Sequence, residues 1–265
     1  MNIIDNVTIL VSTCDSFSDL WQNNKILFER FWPNHPNIIY FSDKNTSIPN
    51  FDICVFNNDE FSFRLKKVLS MVKTKYVLLT LDDYLLDKYV NKGSFGYCLE
   101  YLEKNDGDYF RFYKRTKVKG IFLDSQYKIK KLPLIKTAYE VNLYPSIWKT
   151  ESLKRMIKKE ENIWKFEVRM TRRSKELGFS GYTTYDDRIF HFVDTIRKGK
   201  YIRKAYNFLN RNNLYISDRK IQSWYEKIKL DFRTFLSRIL PNKIKKLFKR
   251  ISKKQFFSNF AENDD

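Results

Sequence analysis

Asp82 and Asp83 stand side by side at the end of Tyr76-Val77-Leu78-Leu79-Thr80-Leu81, a run that is apolar or aromatic at five of its six positions. Such a run reads as a strand buried on both faces of a sheet. A carboxylate buried without a partner is costly, so acids at a buried strand's end ordinarily face a cation or a ligand. In open α/β sheets, ligands sit at the carboxyl ends of the strands. An apolar strand running into Asp-Asp therefore points to a bound metal–phosphate group. The alternative is a solvated turn, or acids that cap a helix.

The surrounding chain supplies elements that would position these acids. Val7-Thr8-Ile9-Leu10-Val11 has the same buried-strand pattern and ends in Ser12-Thr13-Cys14-Asp15. Asp19 to Arg30 reads as an amphipathic helix with Leu20, Ile26, Leu27 and Phe31 on its inner face, closed by Pro33 and Pro36. A second strand, Asn37 to Phe41, ends in Ser42-Asp43; Phe51 to Phe56 predicts a third, and Glu60 to Lys73 a helix. Strands alternating with helices indicate βαβ units and a mainly parallel sheet. Beyond the acids we expect a helix over Tyr89–Lys104, a strand over Asp108–Tyr113 and a hairpin or irregular loop over Gly120–Leu134. A helix N-capped by Thr150 and running to Lys159 should follow, then a helix from Ile163 to Leu177 ended by Gly178. A strand over Tyr182–Tyr185 and the segment His191-Phe192-Val193-Asp194 lead to Gly199-Lys200. No glycine precedes Gly93, which excludes both a dinucleotide-binding GxGxxG and a P-loop from this half. A diphosphate bound here must be met by a metal ion and side chains.

The formal charge of +19 is unevenly spread: residues 1–196 carry a net +6 and residues 197–265 a net +13. A basic tail points to an anionic surface rather than to nucleic acid. No reader motif is present, so no nucleic acid is expected as a partner. Cys14, Cys54 and Cys98 lack CxxC spacing and read as reduced thiols, and a cysteine-rich zinc site is excluded. No secretory signal or membrane-spanning run is visible, and we expect a cytoplasmic protein. From Tyr201 onward the pattern is one of basic helices. In the last, Lys243–Phe257, Ile244, Leu247, Phe248 and Ile251 fall on one face and seven Lys and Arg residues occupy the rest. This is the pattern of a helix lying in a membrane interface. We expect it to hold the protein peripherally on the inner face of the cytoplasmic membrane; the alternative is that part of the apolar face packs on the preceding domain. The chain thus divides into residues 1–200, an α/β domain with a mainly parallel central sheet flanked by helices, and residues 201–265, a basic helical extension.

Thr8 to Asp15, Tyr76 to Tyr84, Tyr144-Pro145-Ser146-Ile147-Trp148 and Trp164-Lys165-Phe166-Glu167, in this order and spacing, resemble the small GT-A-fold glycosyltransferases of bacterial surface-polysaccharide synthesis. The resemblance spans roughly residues 7–200. It implies a nucleotide-sugar donor, a divalent metal (Mn2+ or Mg2+) and a lipid-linked or saccharide acceptor. By position, Thr13, Asp15 and Asp43 resemble contacts to the nucleoside, and Asp82 and Asp83 the DxD element that holds the metal against the diphosphate. The first acid of that element would fall on Thr80 or Asp82 depending on register, so one carboxylate would serve for two. His191 is similar to the histidine that completes the metal shell in some relatives; a core or hydrogen-bonded His between Phe190 and Phe192 is the other reading. Lys200 is a candidate for the diphosphate, in competition with Arg197, Lys198 and Arg203.

Glu167 is the candidate base. An inverting sugar transfer needs a carboxylate to take the proton of the acceptor hydroxyl, and Glu167 sits near the start of a helix, as the family's base does. The alternative is a surface acid in a helix's first turn, favoured there by the dipole, with Arg169, Arg172 and Arg173 as its solvated partners. Two other functions compete for the whole chain: a basic nucleic-acid-binding protein, and a nucleotidyltransferase-like enzyme, whose usual glycine-rich loop is missing.

Overall fold

The sheet begins at Val7–Ser12 (β1), where all six residues are buried because helices cover both faces. The computed structural model describes residues 3–44, 51–58, 60–112, 121–134, 139–186, 188–228 and 232. The tail helix expected at 243–257 and the rest of 241–265 lie outside the described residues, as do Tyr113 and Gly120. After β1 come Ser18–Phe31 (α1), Ile38–Ser42 (β2), Cys54–Val55 (β3), Phe61–Met71 (α2), Tyr76–Leu81 (β4) and Tyr84–Leu86 (β5). Lys92–Lys104 (α3), Tyr109–Arg111 (β6), Ile129–Lys131 (β7), Ser146–Lys149 (β8), Thr150–Met156 (α4) and Ile163–Glu176 (α5) follow. Gly181–Thr184 (β9), Phe192–Asp194 (β10), Ile196–Arg197 (β11), Lys200–Tyr201 (β12) and Arg203–Arg211 (α6) complete the order.

Among the described residues, eight strands form one sheet in the order β3-β2-β1-β4-β8-β6-β9-β7. Six run in one direction; β8 and β7 run against them. Alternation along the strands divides the apolar residues between two layers. Ile9, Val11 and Leu78 face a cluster that includes residues of α1, α3 and α6. Leu10, Val77 and Leu79 face a second cluster built with α2, α4 and α5. β5 and β10 make a separate antiparallel pair, β11 and β12 another.

Several elements differ from their expected bounds, each for a local reason. The third strand shortens to two residues because Phe51 leaves the edge and packs on Trp21 and Tyr40, at ring centroid distances of 5.6 and 4.7 Å. α3 starts at Lys92 because the Val90 and Asn91 N–H groups donate to Phe31 O and Ile189 O. The Asn91 side chain then caps α3 by accepting from Ser94 N–H at 3.0 Å. Thr150 is the first helical residue of α4, not its cap. β8 pairs with Tyr76 as far as Lys149, and the Thr150 hydroxyl donates outward to Thr74 O at 2.8 Å.

The chain does not leave the body at residue 200. Tyr201, Ala205, Leu209 and Leu214 are buried in the first cluster. The following segment is tied to α1: Asn23 Nδ2 donates to Tyr215 O at 2.6 Å, and Tyr215 N–H returns a bond to Asn23 Oδ1 at 3.1 Å. Arg219 closes on Asp19 with two bonds of 2.6 Å. No helix among the described residues is long and apolar enough to cross a membrane.

Among the described glycines, the one with least room for a side chain follows α3. A Cβ on Gly107 would stand 2.4 Å from Leu102 Cδ1 and 2.8 Å from Tyr182 Cε2, with both side chains buried in the core. Overpacking of this kind costs about 1–3 kcal/mol. Gly107→Ala should lower the urea midpoint by a corresponding amount at unchanged m-value; a midpoint equal to the parent's would show that the two side chains move aside freely.

Candidate functional site

The two acids after β4 point to different places. The Asp82 N–H donates to Ser12 O at 3.2 Å, extending the β1–β4 pairing by one residue. Its carboxylate is buried and Oδ2 accepts from the Thr13 hydroxyl, while Thr13 Oγ1 accepts from Trp21 Nε1. Asn24 Nδ2 donates to Asp82 O at 3.1 Å. Burial pushes the Asp82 carboxyl up to about 7, and the bonds from Thr13 and Trp21 restrain the rise. Asp83 faces the other way. Its Oδ1 is buried and has no hydrogen-bond partner among the described residues. Burial, then the charges of Asp82 and Asp194, hold its carboxyl well above the ordinary range, with Arg197 pulling against them.

Asp194 belongs to this site. β10 pairs with β5 so that Asp194 lies opposite Tyr84, and Thr195 N–H donates to Asp83 O at 2.9 Å. Burial raises the Asp194 carboxyl; Arg197, whose Nη2 donates to Asp194 Oδ2 at 2.8 Å, pulls it back. The sequence signal was a short form of the one at β4, an apolar Phe192-Val193 running into an acid, but the run was too brief to stand out.

Thr13, Asp15 and Asp43 gather at the neighbouring strand ends, since β2, β1 and β4 are adjacent and parallel. Asp15 N–H donates to Asp43 Oδ1 at 3.0 Å, and the Ser42 hydroxyl reaches Asp15 Oδ1 and Asp43 Oδ1 at 3.4 and 3.2 Å. Burial would raise Asp43, but the Asp15 N–H, the Ser42 hydroxyl and the Arg64 charge outweigh it and hold the carboxyl low. Asp43 is therefore held ionised on a preorganised rim beside Asp82 and Asp83.

Glu167 approaches from the far side. It lies in the second turn of α5, whose start is fixed by Asn162 accepting from Lys165 N–H at 2.9 Å. The Glu161–Arg173 pair, 1% and 6% exposed, and Ser62, which exchanges bonds of 3.0 Å with the Glu161 backbone, tie α5 to α2. Leu143 N–H donates to Glu167 Oε1 at 3.4 Å, and the next residue, Tyr144, packs its ring on Tyr84 at 5.2 Å. The Tyr84 phenol is pushed up by burial, then by Tyr144 and the charges of Asp83, Asp194 and Glu167. The charges of Asp83, Asp194 and Glu167 thus all act on one phenol.

Other candidates are placed elsewhere. His191 Nδ1 is bonded to Asp87 Oδ1, and Asp87 N–H donates to His191 O, so His191 continues the β5–β10 ladder away from Asp83. Three residues of strand, about 10 Å, separate it from Asp194. Lys200 pairs with Glu226, and Arg203 lies 5.0 Å over the Trp224 ring. Arg169 and Arg173 bind Glu161, and Arg172 pairs with Glu176, so these arginines have acids other than Glu167 as their ion-pair partners. Among the described residues no group of three or more His, Cys, Asp or Glu side chains forms a metal cage.

Raised carboxyls make stability depend on pH. Between the ordinary carboxylate range, near about 4, and about 7 for Asp82, the folded chain binds more protons than the unfolded one. Stability of the ligand-free protein therefore falls as pH rises through this window. Asp83→Asn should flatten the decline and unfold at a higher temperature than the parent at pH 8, by roughly 2–4 °C for each kcal/mol relieved. Melting curves from pH 5 to 8 in chelator measure this; parallel parent and variant slopes would show that Asp83 is solvated.

No protein-family model and no curated protein match the chain. Solved structures do. S. aureus TarS 1–349 in complex with UDP-GlcNAc aligns over 97% of this chain and 76% of its own, at 15% identity and a TM-score of 0.52. S. aureus TarS aligns over 95% of this chain and 46% of its own, at 12% identity and a TM-score of 0.52. The mannosyltransferase PcManGT from Pyrobaculum calidifontis, in complex with GDP-Man and Mn2+, aligns over 73% of this chain and 58% of its own, at 12% identity and a TM-score of 0.49. In a further structure of TarS 1–349 the chain spans 59% of that protein's length. Likeness at such identity speaks to the fold, and the fold is GT-A-like: a mixed α/β sheet of mostly parallel strands flanked by helices.

Proposed function

We propose that the protein is a glycosyltransferase that moves a sugar, of hexosyl type, from a nucleoside-diphosphate donor to a lipid-linked or oligosaccharide acceptor in surface-polysaccharide synthesis. The observation that carries this reading is the buried Asp83 Oδ1, without a hydrogen-bond partner among the described residues, at the carboxyl end of β4 in a GT-A-like sheet. The fold and the strand-end position support a donor diphosphate there. With no glycine before residue 93, the chain has no glycine-rich cradle for phosphate in this half.

The residues fit a divalent ion. Asp83 and Asp194 are hard oxygen donors, and Mg2+ or Mn2+ is commonly held by one or two carboxylates together with substrate phosphates rather than by a protein cage. Asp83 and Asp194 would hold the ion, which neutralises charge on the leaving diphosphate when bound. Asp82, tied to Thr13 and Trp21, acts from beneath as the buried support of the turn. Thr13, Asp15 and Asp43 line the nucleoside side. Glu167 takes the proton of the acceptor hydroxyl as that oxygen bonds to the anomeric carbon; the bond from that carbon to the diphosphate oxygen breaks, its electron pair leaves with the diphosphate, and configuration inverts. The basic segment 241–260 would hold the enzyme on the inner face of the cytoplasmic membrane, within reach of a lipid-linked acceptor.

A thermal-shift screen of nucleotide sugars with and without Mn2+ or Mg2+ tests the reading directly. A donor at 100 times its Kd stabilises by about 2.7 kcal/mol. The metal-dependent shift should vanish in Asp83→Ala and persist in Glu167→Gln. Transfer by Glu167→Gln should fall roughly 10²–10⁴-fold, as for a lost general base. Parent-like transfer by that variant rules out Glu167, and absence of any donor shift in the parent rules out the donor site.

A further inference from the structure

After β12 the chain turns back along the body and then presents its apolar residues outward. Tyr201 N–H donates to Lys220 O at 2.9 Å and Gln222 N–H to Tyr201 O at 2.8 Å, which forms a short parallel bridge. Glu226 accepts from Lys200 and, at 2.9 Å, from Ser223 N–H, fixing the helical turn that begins at Trp224. The turn is thus held to the body by backbone bonds on one side and an ion pair on the other. Yet Trp224, Tyr225, Ile228 and Phe232 are between 57% and 73% exposed. Trp224 and Ile228, four residues apart in the helical turn, fall on one face. The Arg203 guanidinium and Lys227 Nζ bracket the Trp224 ring at 5.0 and 5.1 Å, orienting the indole while leaving most of it open. Four large apolar side chains within nine residues of sequence are each more than half exposed, a concentration of the kind that marks an interaction surface rather than apolar residues scattered singly.

We propose that this face seats the body of the protein directly on an anionic lipid bilayer. The charge around it selects the occupant. Residues 197–265 carry a net +13, against +6 for the preceding 196. Lys220 and Lys227 flank the patch without an ion pair among the described residues. A second copy docked on the same face would set these charges against their like. A nucleic acid would meet the lysines but offers no acyl region to Ile228 and Phe232. A bilayer interface satisfies both demands: phosphate headgroups for the cations, hydrocarbon for the aliphatic and aromatic carbons, and the boundary between them for Trp and Tyr. The inference goes beyond attachment by the basic tail, because a seat on the body fixes orientation as well as proximity. It holds whether or not the site transfers sugar.

The test uses the full chain and vesicles of phosphatidylcholine with increasing phosphatidylglycerol. The parent should co-sediment more strongly as the anionic fraction rises. The triple variant Trp224→Ser, Ile228→Ser, Phe232→Ser, which keeps every charge of the tail, should bind at least tenfold more weakly at an unchanged unfolding midpoint. Brominated lipid should quench parent emission, and most of that quenching should be lost in Trp224→Phe; this arm stands even if the triple variant fails to fold. Parent-like sedimentation by the folded triple variant would overturn the proposal in favour of the tail alone. Absence of quenching would overturn it too, as would a parent that ignores vesicles and elutes as a dimer split by the triple variant.

Discussion

Two adjacent carboxylates are held at the end of β4, Asp82 buried and Asp83 partly buried with its Oδ1 shielded from water, and much of the surrounding structure follows from how each is treated. An ionised carboxylate in such a place is tolerated only when it is hydrogen-bonded or paired. Asp82 is supplied by Thr13 from the end of β1, with Trp21 from α1 behind it, and Asn24 holds its carbonyl. Asn24 also accepts from the Tyr40 hydroxyl on β2 at 2.9 Å. One polar network therefore joins β1, β2, β4 and α1 at a single corner. Networks of this kind are costly when incomplete and rigid when satisfied. That explains why α1 carries two buried asparagines on a face that periodicity alone would have filled with leucine. Asn24 serves the acid, and Asn23 ties down the returning segment at Tyr215.

Asp83 is the contrast. Several groups of the neighbouring loop find partners: Arg111 donates to Glu140 O at 2.8 Å, Thr171 Oγ1 accepts from Val141 N–H at 3.1 Å, and Leu143 N–H reaches Glu167. Asp83 Oδ1 is one of several buried polar side-chain atoms without a hydrogen bond among the described residues, and among them it is the carboxylate oxygen, a place where the fold retains unspent electrostatic energy. Such sites are where perturbed carboxyls and function coincide. The ligand-free protein is less stable for it, and a cation there would reverse the sign of the effect.

The first half of the sheet was legible because its strands are buried on both faces, so Val7–Val11 and Tyr76–Leu81 announce themselves without any tertiary information. Which of two adjacent acids turns inward was not legible. Successive residues at a strand end face opposite sides, and the choice belongs to α1, whose Trp21 and Asn24 lie some sixty residues away. Asp194 was missed for a related reason: its meaning comes from lying opposite Tyr84, a pairing across more than a hundred residues. His191 carried the more suggestive side chain, yet the same register that brings Asp194 to the site directs His191 to Asp87. The position of Glu167 on a helix is legible in the sequence, but its relation to Tyr84 rests on the Leu143–Tyr144 turn, which carries no local signature. Proximity in sequence pairs the following arginines with Glu167, whereas α5 turns Arg173 into the protein to meet Glu161.

Site and aromatic patch are joined through one hairpin. Arg197 and Lys200 are register partners across β11 and β12; the first reaches Asp194 and the second Glu226. Both ion pairs are substantially exposed, and such pairs contribute between nothing and about 1 kcal/mol. They are too weak to transmit force between the two surfaces. The backbone is better placed to do so. Thr195, fully buried, donates its N–H to Asp83 O and accepts from Ile202 N–H, both at 2.9 Å, and Ile202 leads directly into α6. Tyr201, also buried, carries the bridge to Lys220 and Gln222 just before Trp224. A displacement of the Trp224 turn would therefore be felt at the carbonyl of Asp83 through buried hydrogen bonds rather than through surface charge. A membrane seat at Trp224 and a donor site at Asp83 would then be two ends of one rigid piece, with the geometry between them set by the fold before any ligand arrives.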